Sequence, residues 1–261
     1  MKQVHAAIIS NSEVMPGVYL IWLESPQIAC TAQPGQFVMV HCGEETLLRR
    51  PLSVHQVEGG KLALLFSVVG KGTHWLSQRE AGNNVDIFGP LGNGYSIQPT
   101  SRNLLLLAGG IGIAPLCFLA QQASNQGHSV TLLLGASTAT QLYPRHFLPP
   151  EAEVITITED GNDNNKGMIT DLVPDFVEWT DQIFACGPRE MYEAMALKKR
   201  ELKLEGKPVQ VSLEVRMGCG RGVCYGCTVK TKGGLKQVCT DGPVFDLDDI
   251  LWDELNYLTG V

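Results

Sequence analysis

Four cysteines near the C-terminal end carry the plainest chemistry: Cys219, Cys224, Cys227 and Cys239, in the segment MGCGRGVCYGCTVKTKGGLKQVC. Their spacing is C-x4-C-x2-C, then eleven residues, then C. Three thiolates from one short loop and a fourth from farther on form the ligand pattern of a plant-type [2Fe–2S] cluster. Gly218, Gly220, Gly222 and Gly226 interleave the thiols. The loop is therefore expected to turn tightly and to aim backbone N–H groups at sulfur. A structural zinc site is the alternative metal reading; such sites usually pair two C-x2-4-C knuckles, and only one C-x2-C is present. Cys30, Cys42 and Cys117 are scattered and are expected to pack as small core hydrophobes.

Two segments suggest phosphate chemistry in the first hundred residues. RRPLSV, at Arg49–Val54, follows a strand-like run. GKGTHW, at Gly70–Trp75, sets two glycines and Thr73 at the start of a helix candidate, where free N–H groups and the helix dipole favour an anion. Thr73 is expected to cap that helix and touch a phosphate. The plain alternative is a capped helix beside a solvated arginine. Farther on, AGGIGIAPL at Ala108–Leu116 follows the most apolar strand candidate and opens a helix, the context of a dinucleotide-binding turn. Pro115 stands where a third glycine would be. ACGP at Ala185–Pro188 likewise ends a strand and opens a helix, and strand ends of this kind bind ligands in open α/β sheets.

Elements of two kinds must position these residues. GVYLIWLES, GQFVMVHC, KLALLFSVV and NNVDIFGP are short β-prone runs split by Gly, Pro and Asn, which predicts a small antiparallel barrel interrupted by a helix at THWLSQRE. From Arg102 strands and helices alternate: LLLLA, APLCFLAQQASNQG, VTLLLGAS, VITITED, MITDLVPDFVEW, QIFACG and PREMYEAMALKKRELK. That rhythm predicts a doubly wound parallel α/β sheet. The expected units are a barrel domain over 1–99, a nucleotide-binding α/β domain over 100–208 and a cluster domain over 209–261.

Composition is that of an ordinary globular protein and removes some classes. Apolar residues make up 44% and charged residues 18%, ordinary for a folded chain of 261 residues. The net charge of -7 argues against a nucleic-acid partner. The longest apolar run, near Leu104–Ala108, is far short of the roughly 20 residues a bilayer demands, so no membrane span is expected. The opening MKQVHAAIISNSEVM has no long apolar core or small-residue cleavage site, so no export signal is read there. The six histidines show no ligand spacing and are expected to be surface or satisfied side chains. Glu159 and Asp160 are expected to cap a turn rather than hold a ribose, and KKRELK to be the solvated face of a helix. The DLDDILWDEL tail reads equally as a capped surface helix or a subunit contact.

In this order the motifs resemble the ferredoxin-reductase-like flavoprotein family. RPLS is similar to its R-x-[YF]-S flavin motif, with Leu52 in place of the aromatic, and GGIGIAP and CGP are similar to its nicotinamide-site motifs. Across its whole length the chain resembles the electron-transfer subunits of NAD-dependent, class 1B dihydroorotate dehydrogenases, whose cluster signature EVRMGCGRGVCYGC and QVCTDGPVF echo. The resemblance implies that Arg50, Pro51, Leu52, Ser53, Ser67, Val68, Val69, Gly72 and Thr73 bind FAD. It implies that Gly109, Gly110, Gly112, Ala114, Pro115, Cys186, Gly187 and Pro188 bind NAD, and that the four clustered cysteines hold the [2Fe–2S] cluster. No side chain is expected to be catalytic in its own right. An FMN-containing dihydroorotate dehydrogenase catalytic subunit would be the partner, in a cytoplasmic heterotetramer of pyrimidine biosynthesis. Electrons would pass from that FMN through the cluster and FAD to NAD+, and dihydroorotate oxidation would need the partner.

Three other readings stay open at this level. One is the flavin subunit of a different multi-subunit reductase, such as a ferredoxin:NADP transhydrogenase or a hydrogenase; the transhydrogenase branch is expected to carry Asp at the first ligand position, where Cys219 stands. Phthalate-dioxygenase-type reductases carry a full ferredoxin domain, for which residues 209–261 look too short. A zinc-stabilised nucleotide-binding regulator is the reading from another class. NAD rather than NADP is favoured because no Arg directly follows GAST, although Arg145 is close in sequence.

Overall fold

The computed structural model describes residues 1–163 and 165–255. The last six residues of the expected cluster domain lie outside the described residues. The first unit is a closed antiparallel barrel, with neighbours in the order β1-β2-β5-β4-β3-β6. Its elements are β1 (Lys2–Met15), β2 (Val18–Glu24), α1 (Pro26–Ala29), β3 (Phe37–Val40), β4 (Arg50–Glu58), β5 (Lys61–Ser67), α2 (Lys71–Ser77) and β6 (Asn84–Leu91). Alternation fills the interior: Ile21 and Leu23, Val38 and Val40, Leu62 and Leu64 and Ile87 are buried together. RPLSV does not merely follow a strand: it opens β4, with Val38 opposite Leu52 and Met39 opposite Pro51. β1 was not expected, because its mixed polar sequence lacks a clean period of two. It forms because β2 and β6 pair along its two edges.

The second unit is built on β7 (Asn103–Gly109), α3 (Ile113–Asn125), β8 (Ser129–Ala136), β9 (Glu153–Thr158), α4 (Val173–Phe176), β10 (Gln182–Cys186), α5 (Arg189–Leu197) and β11 (Val209–Ser212). β7 is the centre of this sheet and is buried on both faces. Leu104 and Leu106 pack on the side of α3, while Leu105 and Leu107 pack against Val173, Met191 and Met195 on the other. All four leucines are fully buried, each contributing about 1.5–3 kcal/mol of transfer free energy. Two helix expectations are shortened. MITDLVPDFVEW forms one turn of 3-10 helix and then α4, and the helix over PREMYEAMALKKRELK stops at Leu197. Beyond it the chain turns so that Leu202 and Leu204 enter the core, and Lys199 pairs with Asp248 instead of lying on a helix face.

The third segment adds a hairpin of β12 (Thr228–Thr231) and β13 (Gly234–Gln237), then β14 (Val244–Asp246). The boundary at residue 209 falls inside the α/β sheet, whose order is β14-β11-β10-β7-β8-β9. β11 pairs parallel to β10, and β14 closes that edge antiparallel to β11. The cluster segment also shares its core with the sheet: Cys227, Val229, Val238 and Cys239 pack in one cluster with Leu105 and Ile183. The DLDDILWDEL tail is not a surface helix. Leu247, Ile250, Trp252 and Leu255 are buried in that same core, since their spacing matches a turn and one 3-10 turn, not a helical stripe.

Candidate functional site

The cluster loop confirms that glycine is needed at two of its four positions for backbone reasons. Gly220 (φ +67°) and Gly222 (φ +78°) lie in the left-handed region. Gly218 and Gly226 are under no such constraint: a Cβ there would make only ordinary contact, 3.4 Å and 3.6 Å from the Cys224 Sγ. The N–H groups aimed at sulfur come from Arg221, which donates to Cys219 Sγ at 3.3 Å, and Gly222, which donates to Cys239 Sγ at 3.2 Å. Desolvation would raise the Cys219 thiol, but N–H groups of Arg221, Cys224 and Val223 and the Cys224 thiol bring it down to about 6. Cys239, buried and beside Cys227, is pushed up to about 12. Donors already pointed at sulfur fit a thiolate-bound cluster, since hydrogen bonds to the sulfurs help set its potential. Cys227 and Cys239 are buried while Cys224 is exposed, so the loop presents one edge to solvent. Among the isolated cysteines, Cys42 and Cys117 are core residues as expected, but Cys30 is exposed just beyond α1.

The flavin-motif residues gather at one end of the barrel. A Cβ on Gly72 would sit 3.0 Å from Arg50 Nε and 3.2 Å from Cys42 Cβ, so the Arg50 guanidinium lies directly against the start of α2. Arg49 is differently engaged. Its guanidinium pairs with Asp86 Oδ2 at 2.5 Å and, against the burial that would raise it, holds that carboxyl below its usual range. Arg50 is thus the cation turned to the Gly-rich turn. Thr73 sits in the third position of α2, where its hydroxyl accepts from the N–H groups of Val69 (2.9 Å) and Gly70 (3.2 Å). The turn it closes contains Val68 and Val69 just beyond Ser67, the last residue of β5.

The nucleotide motifs meet at the C-terminal ends of two adjacent strands, with Ala108 opposite Cys186. A Cβ on Gly112 would fall 2.0 Å from the Cys186 carbonyl oxygen, and one on Gly109 2.7 Å from Pro188 Cδ. Only glycines allow GGIGIAP and CGP to touch. Gly110, at φ +53°, makes the left-handed turn into the helix. Gly187 N–H donates to the Tyr192 hydroxyl at 2.8 Å, which donates to the Ser212 carbonyl at 2.7 Å, fixing the second motif. The Arg145 guanidinium is engaged with the carbonyls of Pro149 and Ala152. Asp160 accepts from Asn162 and closes a turn, as its sequence context suggests, while Glu159 accepts from the Ser137 hydroxyl.

Three residues at these sites were not singled out from sequence. Arg221 lays its guanidinium 4.7 Å over the Phe88 ring, pinning the cluster loop to the barrel. Glu214, beyond the end of β11 and near Cys186, keeps solvent access while surrounding protein pushes its carboxyl up. His55 is fully buried between the barrel and α3. None of the three has a spacing signal, because each acts through residues remote in sequence.

Comparison with known proteins decides the family. The family model described as the iron-sulfur cluster binding domain of dihydroorotate dehydrogenase B matches residues 214–251. The chain is 41% identical to a dihydroorotate dehydrogenase B (NAD(+)) electron transfer subunit of Desulforamulus reducens, over 97% of this chain and 99% of that one. This chain belongs to that family of electron transfer subunits. A second member, from Geobacillus thermodenitrificans, is 35% identical over 94% of this chain and 96% of its own length. Among solved structures, one of an NADH-dependent reduced ferredoxin-NADP oxidoreductase superposes with a TM-score of 0.87 at 34% identity, covering 97% of this chain and 92% of that one. Family membership fits the three segments found here: a barrel end with Arg50 on a glycine turn, a strand-end turn of glycines, and a cysteine loop furnished with donors to sulfur. Among the described residues, no helix is long and apolar enough to cross a membrane.

Proposed function

We propose that this chain is the electron-transfer half of a two-subunit dihydroorotate dehydrogenase, carrying electrons from the FMN of a catalytic subunit through a [2Fe–2S] cluster and FAD to NAD+. The supporting observation is a direct packing contact between the cluster loop and the flavin strands. Gly220, next to Cys219, lies so close to Met39 that a Cβ would fall 2.8 Å from its Cγ, and Met39 is the β-partner of Pro51 in the flavin motif. FAD would supply hydride exchange with nicotinamide and single-electron exchange with the cluster. The chain itself would orient and insulate: Arg50 and the Gly70–Thr73 turn hold the diphosphate, Gly109–Pro115 and Cys186–Pro188 hold the nicotinamide nucleotide, and the four cysteines hold iron.

A partner is called for by the surface around the cluster. Leu47 and Leu48 flank a cleft at Cys219 together with Val223, and Tyr225 lies close by in the chain. These four apolar residues are all exposed, Leu47 by 97%. An apolar rim around a one-electron carrier suits a docked redox subunit. Such an assembly, a cytoplasmic heterotetramer in pyrimidine biosynthesis, extends the same proposal. The test is reconstitution. The isolated, cofactor-loaded chain should pass electrons from NADH to artificial acceptors and be inactive on dihydroorotate; adding the catalytic subunit should bring NAD+-dependent dihydroorotate oxidation. If the chain alone oxidised dihydroorotate with NAD+, the relay reading would be wrong.

A second reading has one observation in its favour, the similarity to the NADH-dependent reduced ferredoxin-NADP oxidoreductase structure. Activation by a ferredoxin-linked partner and not by a dihydroorotate-oxidising one would select it.

FAD occupancy has its own variant. Replacing Gly72 by valine drives a branched side chain into Arg50 and Cys42, so the purified protein should lose most of its flavin while keeping its iron. Flavin released from the wild type should chromatograph as FAD, and recovery of FMN alone would contradict the diphosphate site.

A further inference from the structure

The residue joining the two nucleotide-binding segments is a histidine that neither motif contains. Along β4 the register with β5 runs Val54↔Leu64 and then Gln56↔Ala63, so His55 is the extra residue of a β-bulge. Val54 points into the barrel core, and His55 is re-aimed outward, where the start of α3 and Tyr143 enclose it completely. Its Nδ1 lies 2.9 Å from the Ala114 carbonyl oxygen, and its Nε2 lies 2.8 Å from the Tyr143 hydroxyl. A carbonyl only accepts, so Nδ1 carries the proton, and Nε2 accepts from the Tyr143 O–H. Burial holds the ring neutral, lowering its pKa to about 4, which keeps this donor–acceptor arrangement intact at neutral pH.

We propose that His55 is a positioning residue for the nicotinamide reaction, fixing the nucleotide-binding turn against the flavin strand through the Ala114 carbonyl. Ala114 lies two residues beyond Gly112, the glycine in contact with Cys186, and His55 lies two residues beyond Ser53, the end of the flavin motif. One imidazole therefore spans the two ligand segments. An apolar side chain would fill the same volume without the cost of burying two ring nitrogens. What it would lack is a directional bond that sets the distance between turn and strand. Gln56 ties β4 to the Phe147 carbonyl and, at 3.4 Å, to the Cys117 thiol farther along α3, so the His55 bond is the tether that falls on the first turn of the helix.

The inference rests on the reading of Gly109–Pro115 as the nucleotide site, and the test separates the two. The full-length chain is co-purified with its catalytic subunit, loaded with FAD and cluster, and assayed for NADH oxidation by a two-electron dye. His55→Asn sets an amide donor where Nδ1 stood and keeps the Ala114 bond. His55→Gln sets its amide where Nε2 stood, keeps Tyr143 and loses Ala114. His55→Gln should raise the NADH KM about tenfold at unchanged flavin content, whereas His55→Asn should stay within about twofold of the wild type. Equal kinetics in the two variants, or a lowered Tm in both with NADH kinetics unchanged, would overturn the inference alone. Should His55→Gln not fold, Tyr143→Phe takes its place: it leaves the Ala114 bond, so a tenfold rise in KM there would also overturn the inference. If Gly112→Ala left NADH oxidation unaltered, the nucleotide-site reading would fall, and the inference with it.

Discussion

Replacing Cys224 by serine should remove the cluster and, with it, every electron exchanged with the catalytic subunit. Cys224 is the middle cysteine of C-x4-C-x2-C, lies on the exposed edge of the loop and contacts the Cys219 thiol. Gly218 and Gly226 are its neighbours, where a Cβ would lie 3.4 Å and 3.6 Å from its sulfur, in ordinary contact. A serine hydroxyl is a poor ligand for iron in a thiolate site. Loss of the groups that hydrogen-bond a metal's ligands costs about 10–100-fold, so loss of a thiolate itself should cost about 100-fold or more. Dihydroorotate-dependent NAD+ reduction by the assembled complex should fall by at least that factor. NADH oxidation by a two-electron dye should persist, because Arg50 and Gly112 belong to segments other than the cysteine loop and Cys224 lies on that loop's exposed edge. Iron and sulfide at wild-type content in the variant would contradict the ligand assignment.

The second large effect is expected at Gly112. A single added methyl would stand 2.0 Å from the Cys186 carbonyl oxygen and 2.8 Å from Gly187 N, and neither atom belongs to a side chain that could rotate away. The two motif backbones must separate, which costs about 3 kcal/mol or more on the scale of overpacked cores. NADH oxidation should fall about 100-fold in the Gly112→Ala variant. FAD and iron contents should hold, since the barrel end and the cysteine loop are built from other segments. Titrating the rate against NADH concentration checks this; a wild-type KM and turnover would show that GGIGIAP and CGP do not form the nucleotide site.

These two variants sit at opposite extremes of what a sequence discloses. The cysteine spacing is legible because one loop holds three of the four cysteines, so the pattern is written in neighbouring positions. The same holds for the strand–glycine–helix order at Ala108–Leu116, where turn and helix start are continuous with the apolar strand. Gly112 could be marked as a turn glycine, yet its partner at Cys186 lies on another strand, and only the parallel pairing of β7 with β10 brings them together. Arg49 and Arg50 are indistinguishable as letters. Asp86, on β6, claims the first and leaves the second facing Gly72.

Sequence by itself determined the chemistry available to this protein: four thiols at cluster spacing, glycine turns at strand ends, and the switch from a barrel-like to an alternating α/β rhythm. Each of these is set by local spacing and backbone propensity, which persist whatever the rest of the chain does. Tertiary structure alone decided how the pieces are joined. It paired the polar β1 into the barrel, placed β11 and β14 at the edge of the nucleotide sheet, laid Gly220 against Met39, and turned His55 out of β4 onto the Ala114 carbonyl. Those outcomes depend on contacts between residues far apart in the chain, where burial and hydrogen-bond satisfaction override local preference.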